Sequence, residues 1–190
     1  TVNGTIDGAV TVAKNASLTA SVINFMGTVN DNGNMSSFIN CVFGQTLNAR
    51  GSNTNFNGCT VNGALNVSGT DVTLNASSAT GKITVNNGGV LQFMGNGGKF
   101  GEAFVISGGT MKVYTGNTFT GNVMAETGGT LLLSGGEFKN ITVNGQLLID
   151  CLADGKALED MNNGEIIDGR VGIAGDVKVV NHTHTCVWKS

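Results

Sequence analysis

The sequence repeats itself at a near-constant spacing, and this spacing constrains the fold more than any other feature of the chain. The tripeptide Thr-Val-Asn begins at residues 1, 28, 60, 84 and 142. A longer segment that starts at Phe56 returns in similar form at Phe138, and Gly-Gly pairs followed by an apolar stretch begin at residues 88, 108 and 128. Internal repetition of this kind indicates a chain built from similar units that stack on one another.

Aligning the units gives two columns of mostly apolar residues, set two positions apart, so that both are predicted to face the interior of a strand-based structure. The first column is Ile23, Cys41, Cys59, Ile83, Ala103, Asn122 and Ile141, and the second is Phe25, Phe43, Val61, Val85, Val105, Met124 and Val143. The step from Cys59 to Ile83 is the longest one, which predicts a protruding loop within residues 68–80. At the polar exception, Asn122, either the register slips or the amide joins an internal asparagine stack.

A period of this length suits one coil of a parallel β-helix, in which each coil hydrogen-bonds to the next and shields a continuous core. We therefore predict an all-β fold, a right-handed parallel β-helix of about seven coils over residues 1–149. A C-terminal cap is predicted over residues 150–180, and residues 181–190 are predicted to start a linker or a following repeat. The alternative is an antiparallel β-sandwich, whose hairpins would not keep one column order at such regular spacing.

Composition supports many short strands and limits the classes of function. The chain has 30 glycines, no proline and 40% hydrophobic residues, so it has enough apolar residues for a core. The net charge is −3 with only 10 basic residues, which argues against a nucleic-acid partner. No apolar run of about 18 residues is present, so we expect no transmembrane segment. No phosphate-binding loop is found and no cofactor is expected.

Three segments carry a family resemblance. Ser107–Thr110 (SGGT), Thr127–Thr130 (TGGT) and Leu133–Phe138 (LSGGEF) resemble the SGGTF-type repeats of bacterial surface β-helix proteins, including autotransporter-like adhesins. Leu152–Gly155 (LADG) is similar to a segment that closes such repeats in surface proteins of Gram-positive gut bacteria, and Val179–Ser190 resembles the opening of a following His/Cys/Trp repeat.

The resemblance covers residues 88–190, and residues 1–87 only by composition. It implies an exported domain of a larger multidomain protein, located at the cell surface or attached to the cell wall, and it supplies no catalytic residues. The cysteines depart from autotransporter passengers, which generally lack them, and this favours a Gram-positive source. The function that it implies is that of a non-enzymatic adhesin or rigid stalk that binds a host surface protein or glycan.

The cysteines and histidines leave two questions open. Cys41 and Cys59 occupy one column in adjacent coils, about 4.8 Å apart, so they form either a disulfide or two stacked, reduced core cysteines. His182, His184 and Cys186 place three potential metal ligands on one side of an extended segment. A fourth ligand is not evident, so this segment is either part of a metal site completed elsewhere in the full protein or a linker.

A carbohydrate-active β-helix enzyme, such as a polysaccharide lyase or glycoside hydrolase, is the alternative function. Such an enzyme needs paired carboxylates, and Glu102 and Glu126 are the pair that could lie near one face, one coil apart. For ligand binding, alternation predicts that Tyr114, Leu132 and Leu148 face outward. We expect Leu132 and Leu148 to be covered by the cap or by a partner.

Overall fold

The computed structural model describes residues 4–149, 171–173, 177–179 and 184–186. These residues contain no helix; they form short parallel strands that stack into a β-solenoid of about eight turns. The predicted all-β parallel β-helix is therefore confirmed. Each coil supplies three strands, which line up into three faces along the solenoid axis.

The strands of each face pair with their equivalents in the coils before and after. The first face contains β1 (Gly4–Ile6), β4 (Ile23–Phe25), β7 (Val42–Phe43), β10 (Thr60–Val61), β13 (Ser78–Ala79), β16 (Gly98–Phe100), the first halves of β19 (Asn117–Ala125) and β21 (Gly136–Val143), and β23 (Val171–Ile173). The second contains β2 (Val10–Val12), β5 (Val29–Asp31), β8 (Leu47–Ala49), β11 (Leu65–Val67), β14 (Ile83–Val85), β17 (Ala103–Val105), the second halves of β19 and β21, and β24 (Val177–Val179). The third contains β3 (Thr19–Ser21), β6 (Ser37–Ile39), β9 (Asn55–Asn57), β12 (Val72–Asn75), β15 (Val90–Met94), β18 (Thr110–Val113), β20 (Thr130–Leu133), β22 (Gln146–Ile149) and β25 (His184–Cys186).

The interior of the solenoid is one continuous apolar core. In-register stacking places like residues on one another, so the rings of Phe38 and Phe56 stack at 5.0 Å and those of Phe119 and Phe138 at 5.1 Å. Such ring pairs add to the free energy of burial, and each coil's apolar residues are covered by those of its neighbours.

The two predicted columns join residues from different faces, and this part of the prediction is wrong. Cys59 lies on the first face, where the next coil contributes Ser77, whereas Ile83 lies on the second face and stacks between Leu65 and Ala103. The long step from Cys59 to Ile83 therefore reflects a change from the first face to the second. The predicted loop within residues 68–80 does not protrude, since this region contains the regular strands β12 and β13.

The register slip at Asn122 is confirmed. Pairing between β19 and β21 shifts between Phe119 and Asn122, and Val123 instead of Asn122 takes the buried position next to Ala103. Asn122 is exposed, and its side-chain oxygen accepts a 2.9 Å hydrogen bond from the Asn140 amide. The asparagine pair is thus on the outside. The slip also places Ala125 in the buried column where Met124 was predicted.

The C-terminal region adds three described strands to the stack. β23 and β24 pair with β21, and β25 pairs with β22. The remainder of the predicted cap lies outside the described residues. Among the described residues, no helix is long and apolar enough to cross a membrane.

Candidate binding surface on the third face

A half-buried apolar strip runs along the outside of the third face. Leu132 and Leu148 are in register on neighbouring strands, and Lys112 precedes them in the same outer row. Leu131 and Leu133 are fully buried, so alternation turns the side chain of Leu132 outward. The predicted outward orientation of both leucines agrees with their partial exposure.

Tyr114 belongs to the same surface. It follows β18 directly, its backbone N–H donates to the Phe93 carbonyl at 3.1 Å, and its side chain is half-buried next to the fully buried Val113. Lys112 and Tyr114 are two positions apart on one strand and so lie on the same side of it. The structure therefore brings together the three residues predicted for ligand binding. We call Lys112, Tyr114, Leu132 and Leu148 the third-face patch.

Toward the N-terminal coils, the same outer row is small and polar. Its residues there are Thr19, Ser37, Asn55 and Thr73. The next residues in the row are Gln92, Lys112 and the two leucines. Along this row, the side chains therefore change in the C-terminal half of the described face from hydrogen-bonding groups to an ammonium group and two apolar side chains.

Lys112 was not identified from the sequence as a site residue. The sequence did indicate its position, because Lys112 lies between the buried Met111 and Val113 and is one repeat before Leu132. A single lysine in a strand is ordinarily a solvated charge, and only the register of the stacked strands places it beside the leucines.

The predicted metal ligands are only partly described. His182 lies outside the described residues, while His184 and Cys186 occupy register positions next to Leu147 and Ile149 in β25. Within the described part of the chain, no group of three or more His, Cys, Asp or Glu residues could hold a metal ion. The three-ligand site stays a prediction.

Cys41 and Cys59 are both free thiols and are buried. The Cys41 N–H donates to the Cys59 sulfur at 3.4 Å, and the Cys59 N–H donates to the Ser77 hydroxyl at 2.9 Å. Burial raises the pKa of the Cys59 thiol to about 12, although the hydrogen bond from the Cys41 N–H acts in the opposite direction. Because the thiolate is the reactive form, the folded protein holds Cys59 in an unreactive state.

The structure places the two glutamates considered for catalysis at different strand ends. Glu102 precedes β17, whereas Glu126 follows the part of β19 that pairs with β17. Their backbones are offset by four positions along the strand direction, about 13 Å. The two glutamates therefore lie at opposite ends of paired strands and not at equivalent positions one coil apart.

A different carboxylate is buried in the interior. Asp31 has no exposed surface, although it occupies the column position filled by Val12 and Ala49 in the neighbouring coils. Hydroxyl groups of Ser36 and Thr54 donate to it at 2.9 and 2.8 Å. Its oxygens are bonded within the fold, so we assign Asp31 to the architecture of the coil corner.

Comparison with known proteins gave no match. No family model, no curated protein and no solved structure is similar to this chain at a significant level.

Proposed function

We propose that this chain is a non-enzymatic domain of a bacterial cell-surface protein, a rigid β-solenoid that acts as a stalk or adhesin and binds a host protein or glycan. The third-face patch is the observation that carries the proposal. It combines two half-buried leucines, a half-buried tyrosine and a lysine on one face, and apolar side chains rimmed by polar groups can mark an interaction site.

The architecture supports a role that needs a stiff element. Every described coil is hydrogen-bonded to its neighbours through three strands, and the core runs without interruption from Ala20 to Leu147. Solenoids of this type present extended surfaces in fixed register, which suits contact with a long or repetitive partner. The resemblance of residues 88–190 to SGGTF-type surface repeats supports an extracellular location.

Arrays of immobilised host glycans and host extracellular proteins test the proposal with the full chain. The double variant Leu132→Ser/Leu148→Ser removes the apolar strip from the outside while leaving the core intact. Val42→Ser is the matched control, because Val42 is also half-buried and faces outward, but on the first face. We expect the double variant to lose about tenfold or more in affinity, as for a central contact residue. The control variant should bind like the unmodified chain.

Two results would contradict the proposal. Equal binding by the double variant, with folding verified by circular dichroism, would remove the patch as the binding surface. Release of reducing sugar from a polysaccharide, abolished by Glu102→Gln, would show that the domain is an enzyme.

A further inference from the structure

The ligand class of the third-face patch can be narrowed further, on the basis of the proposed function. We propose that the patch binds an acidic glycan, a polysaccharide whose sugar rings carry carboxylates. The apolar side chains would contact the faces of the rings, while Lys112 and Tyr114 would bind a carboxylate.

The charge on this face points to an anionic ligand. Among the described residues of the third-face strands β3 to β22, Lys112 is the single charged one. Two of the outer rows on this face contain the patch residues. The first row is Thr19, Ser37, Asn55, Thr73, Gln92, Lys112, Leu132 and Leu148, and the second is Ser21, Ile39, Asn57, Asn75, Met94, Tyr114 and Ser134. The chain as a whole has a net charge of −3, so described strands with a lysine and no carboxylate stand out. Charge complementarity favours an anion here.

Two hydrogen-bond donors on this face are available to a ligand. Within the described residues, neither the Lys112 ammonium nor the Tyr114 hydroxyl has a hydrogen-bond or ion-pair partner. The two residues are separated by two positions on one strand, about 7 Å between their Cα atoms. A carboxylate has two acceptor oxygens, so one group can receive a hydrogen bond from each donor.

The spacing along the axis favours a glycan over a peptide. The step from Lys112 to Leu132 and on to Leu148 repeats with the strand separation, about 4.8 Å. An extended peptide repeats a side chain on one side only every 6.8 Å or so, and it would drift out of step. One sugar ring advances a polysaccharide by a length close to the strand separation, so successive rings can lie over successive side chains of the row.

Binding of three uronate polymers, namely polygalacturonate, alginate and hyaluronan, tests the proposal against the same polymers after chemical reduction of their carboxyl groups. We expect at least one uronate polymer to bind about tenfold more tightly than its reduced counterpart, the effect of about 1.4 kcal/mol from a charge-assisted hydrogen bond. Lys112→Gln should remove that difference, and Tyr114→Phe should weaken binding by a smaller factor. Lys99→Gln is the control, since Lys99 is exposed on the first face, and it should change nothing.

The outcomes separate this inference from the proposed function. If a polymer and its reduced form bind equally and Leu132→Ser weakens both, the acidic ligand is overturned and the binding role stands. If polyglutamate binds in a Lys112-dependent manner while no uronate polymer does, the partner is an acidic protein segment and the glycan assignment is wrong. If none of these polymers binds and the arrays give no ligand either, both the inference and the proposed function fail.

Discussion

The hydroxyl of Thr54 donates a 2.8 Å hydrogen bond to the Asp31 carboxylate, which is 23 positions earlier in the chain and fully buried. The second carboxylate oxygen accepts from the Ser36 hydroxyl at 2.9 Å and from the Gly33 N–H at 3.1 Å. A buried carboxylate is costly unless it is hydrogen-bonded, and here three donors from two adjacent coils meet it. The cluster therefore ties the corner around Gly33 to the next coil.

Asp31→Ala should destabilise the protein strongly. The substitution leaves three buried donors without an acceptor, at a cost of about 1–3 kcal/mol for each one that water does not reach. We expect the free energy of unfolding to fall by roughly 3 kcal/mol or more, as measured by urea denaturation followed by circular dichroism.

Asp7→Ala is the control for this prediction, because Asp7 is exposed near the N-terminal end of the stack. That variant should change the free energy of unfolding by no more than about 0.5 kcal/mol. If the two variants have the same stability, the Asp31 cluster does not contribute to folding as argued.

The stacked thiols make stability depend on alkaline pH. Burial raises the pKa of the Cys59 thiol to about 12, whereas an unfolded cysteine ionises near 8.5 or so. Between these values the unfolded state loses the proton first, so stability is full below about pH 8.5 and falls as the pH rises toward 12. The loss attributable to this thiol is on the order of 5 kcal/mol across the window.

Cys59→Ser isolates the contribution of this thiol. Ser77 already occupies the equivalent position one coil on, where its hydroxyl accepts from a backbone N–H and donates to the Phe56 carbonyl at 2.9 Å, so the fold accommodates a hydroxyl there. In a Cys151→Ser/Cys186→Ser background, we expect the variant to be less stable than its parent at pH 7 and to lose less stability than the parent between pH 8.5 and 10.5. Parallel stability curves for the two proteins would contradict this prediction.

Much of the fold could be predicted because its signal is local and repeated. Alternation along single strands was enough to place Tyr114, Leu132 and Leu148 on the outside, and the regular spacing was enough to predict stacked parallel coils. These inferences depend only on the two-residue period of a strand and on the repeat length.

The assignment of strands to faces could not be predicted in the same way. All three faces of a coil have short strands with apolar residues that point inward. The hydrophobic pattern around Cys59 therefore looks the same as the pattern around Ile83, although the two residues lie on different faces. The irregular pairing within β19 was marked by the polar Asn122 in an apolar column, but the sequence left open whether the register slips there or the amide joins an internal asparagine stack. Asp31 was missed because its partners come from a corner and from the next coil, and a hydropathy pattern expects an apolar residue in its column.

Asn117 is a buried amide whose orientation is fixed by carbonyl groups. Its side-chain nitrogen lies 2.9 Å from the Tyr114 carbonyl and 3.2 Å from that of Phe93, with those of Gly95 and Thr115 at 3.4 Å. Its buried side-chain oxygen has no hydrogen-bond partner. The position therefore requires a donor and excludes a second acceptor.

Asn117→Asp keeps the shape of the side chain but replaces the donor with an oxygen. Repulsion from the surrounding carbonyls, together with burial of the carboxyl group, should lower the free energy of unfolding by roughly 3 kcal/mol or more at neutral pH. Asn62→Asp makes the same chemical change at an exposed position and should be nearly neutral. Urea denaturation of both variants checks the difference, and equal midpoints would show that Asn117 is not held by its carbonyl contacts.

Val22 adopts a backbone conformation that is unfavourable for a β-branched residue. Its φ is +57°, and it turns the chain between the third and first faces at the corner where the next coils have Asn40 and Gly58. The left-handed conformation costs an ordinary L-residue about 1–2 kcal/mol, and glycine adopts it without that penalty. Val22→Gly should therefore raise the free energy of unfolding by about 0.5–1 kcal/mol, after allowance for the greater freedom of glycine in the unfolded chain.

Val42→Gly makes the same substitution inside a strand of the first face, where glycine should instead lower stability by about 1 kcal/mol. Opposite signs for these two variants in thermal or urea unfolding are the expected result, and destabilisation by both would show that Val22 contributes more through packing than it loses through strain.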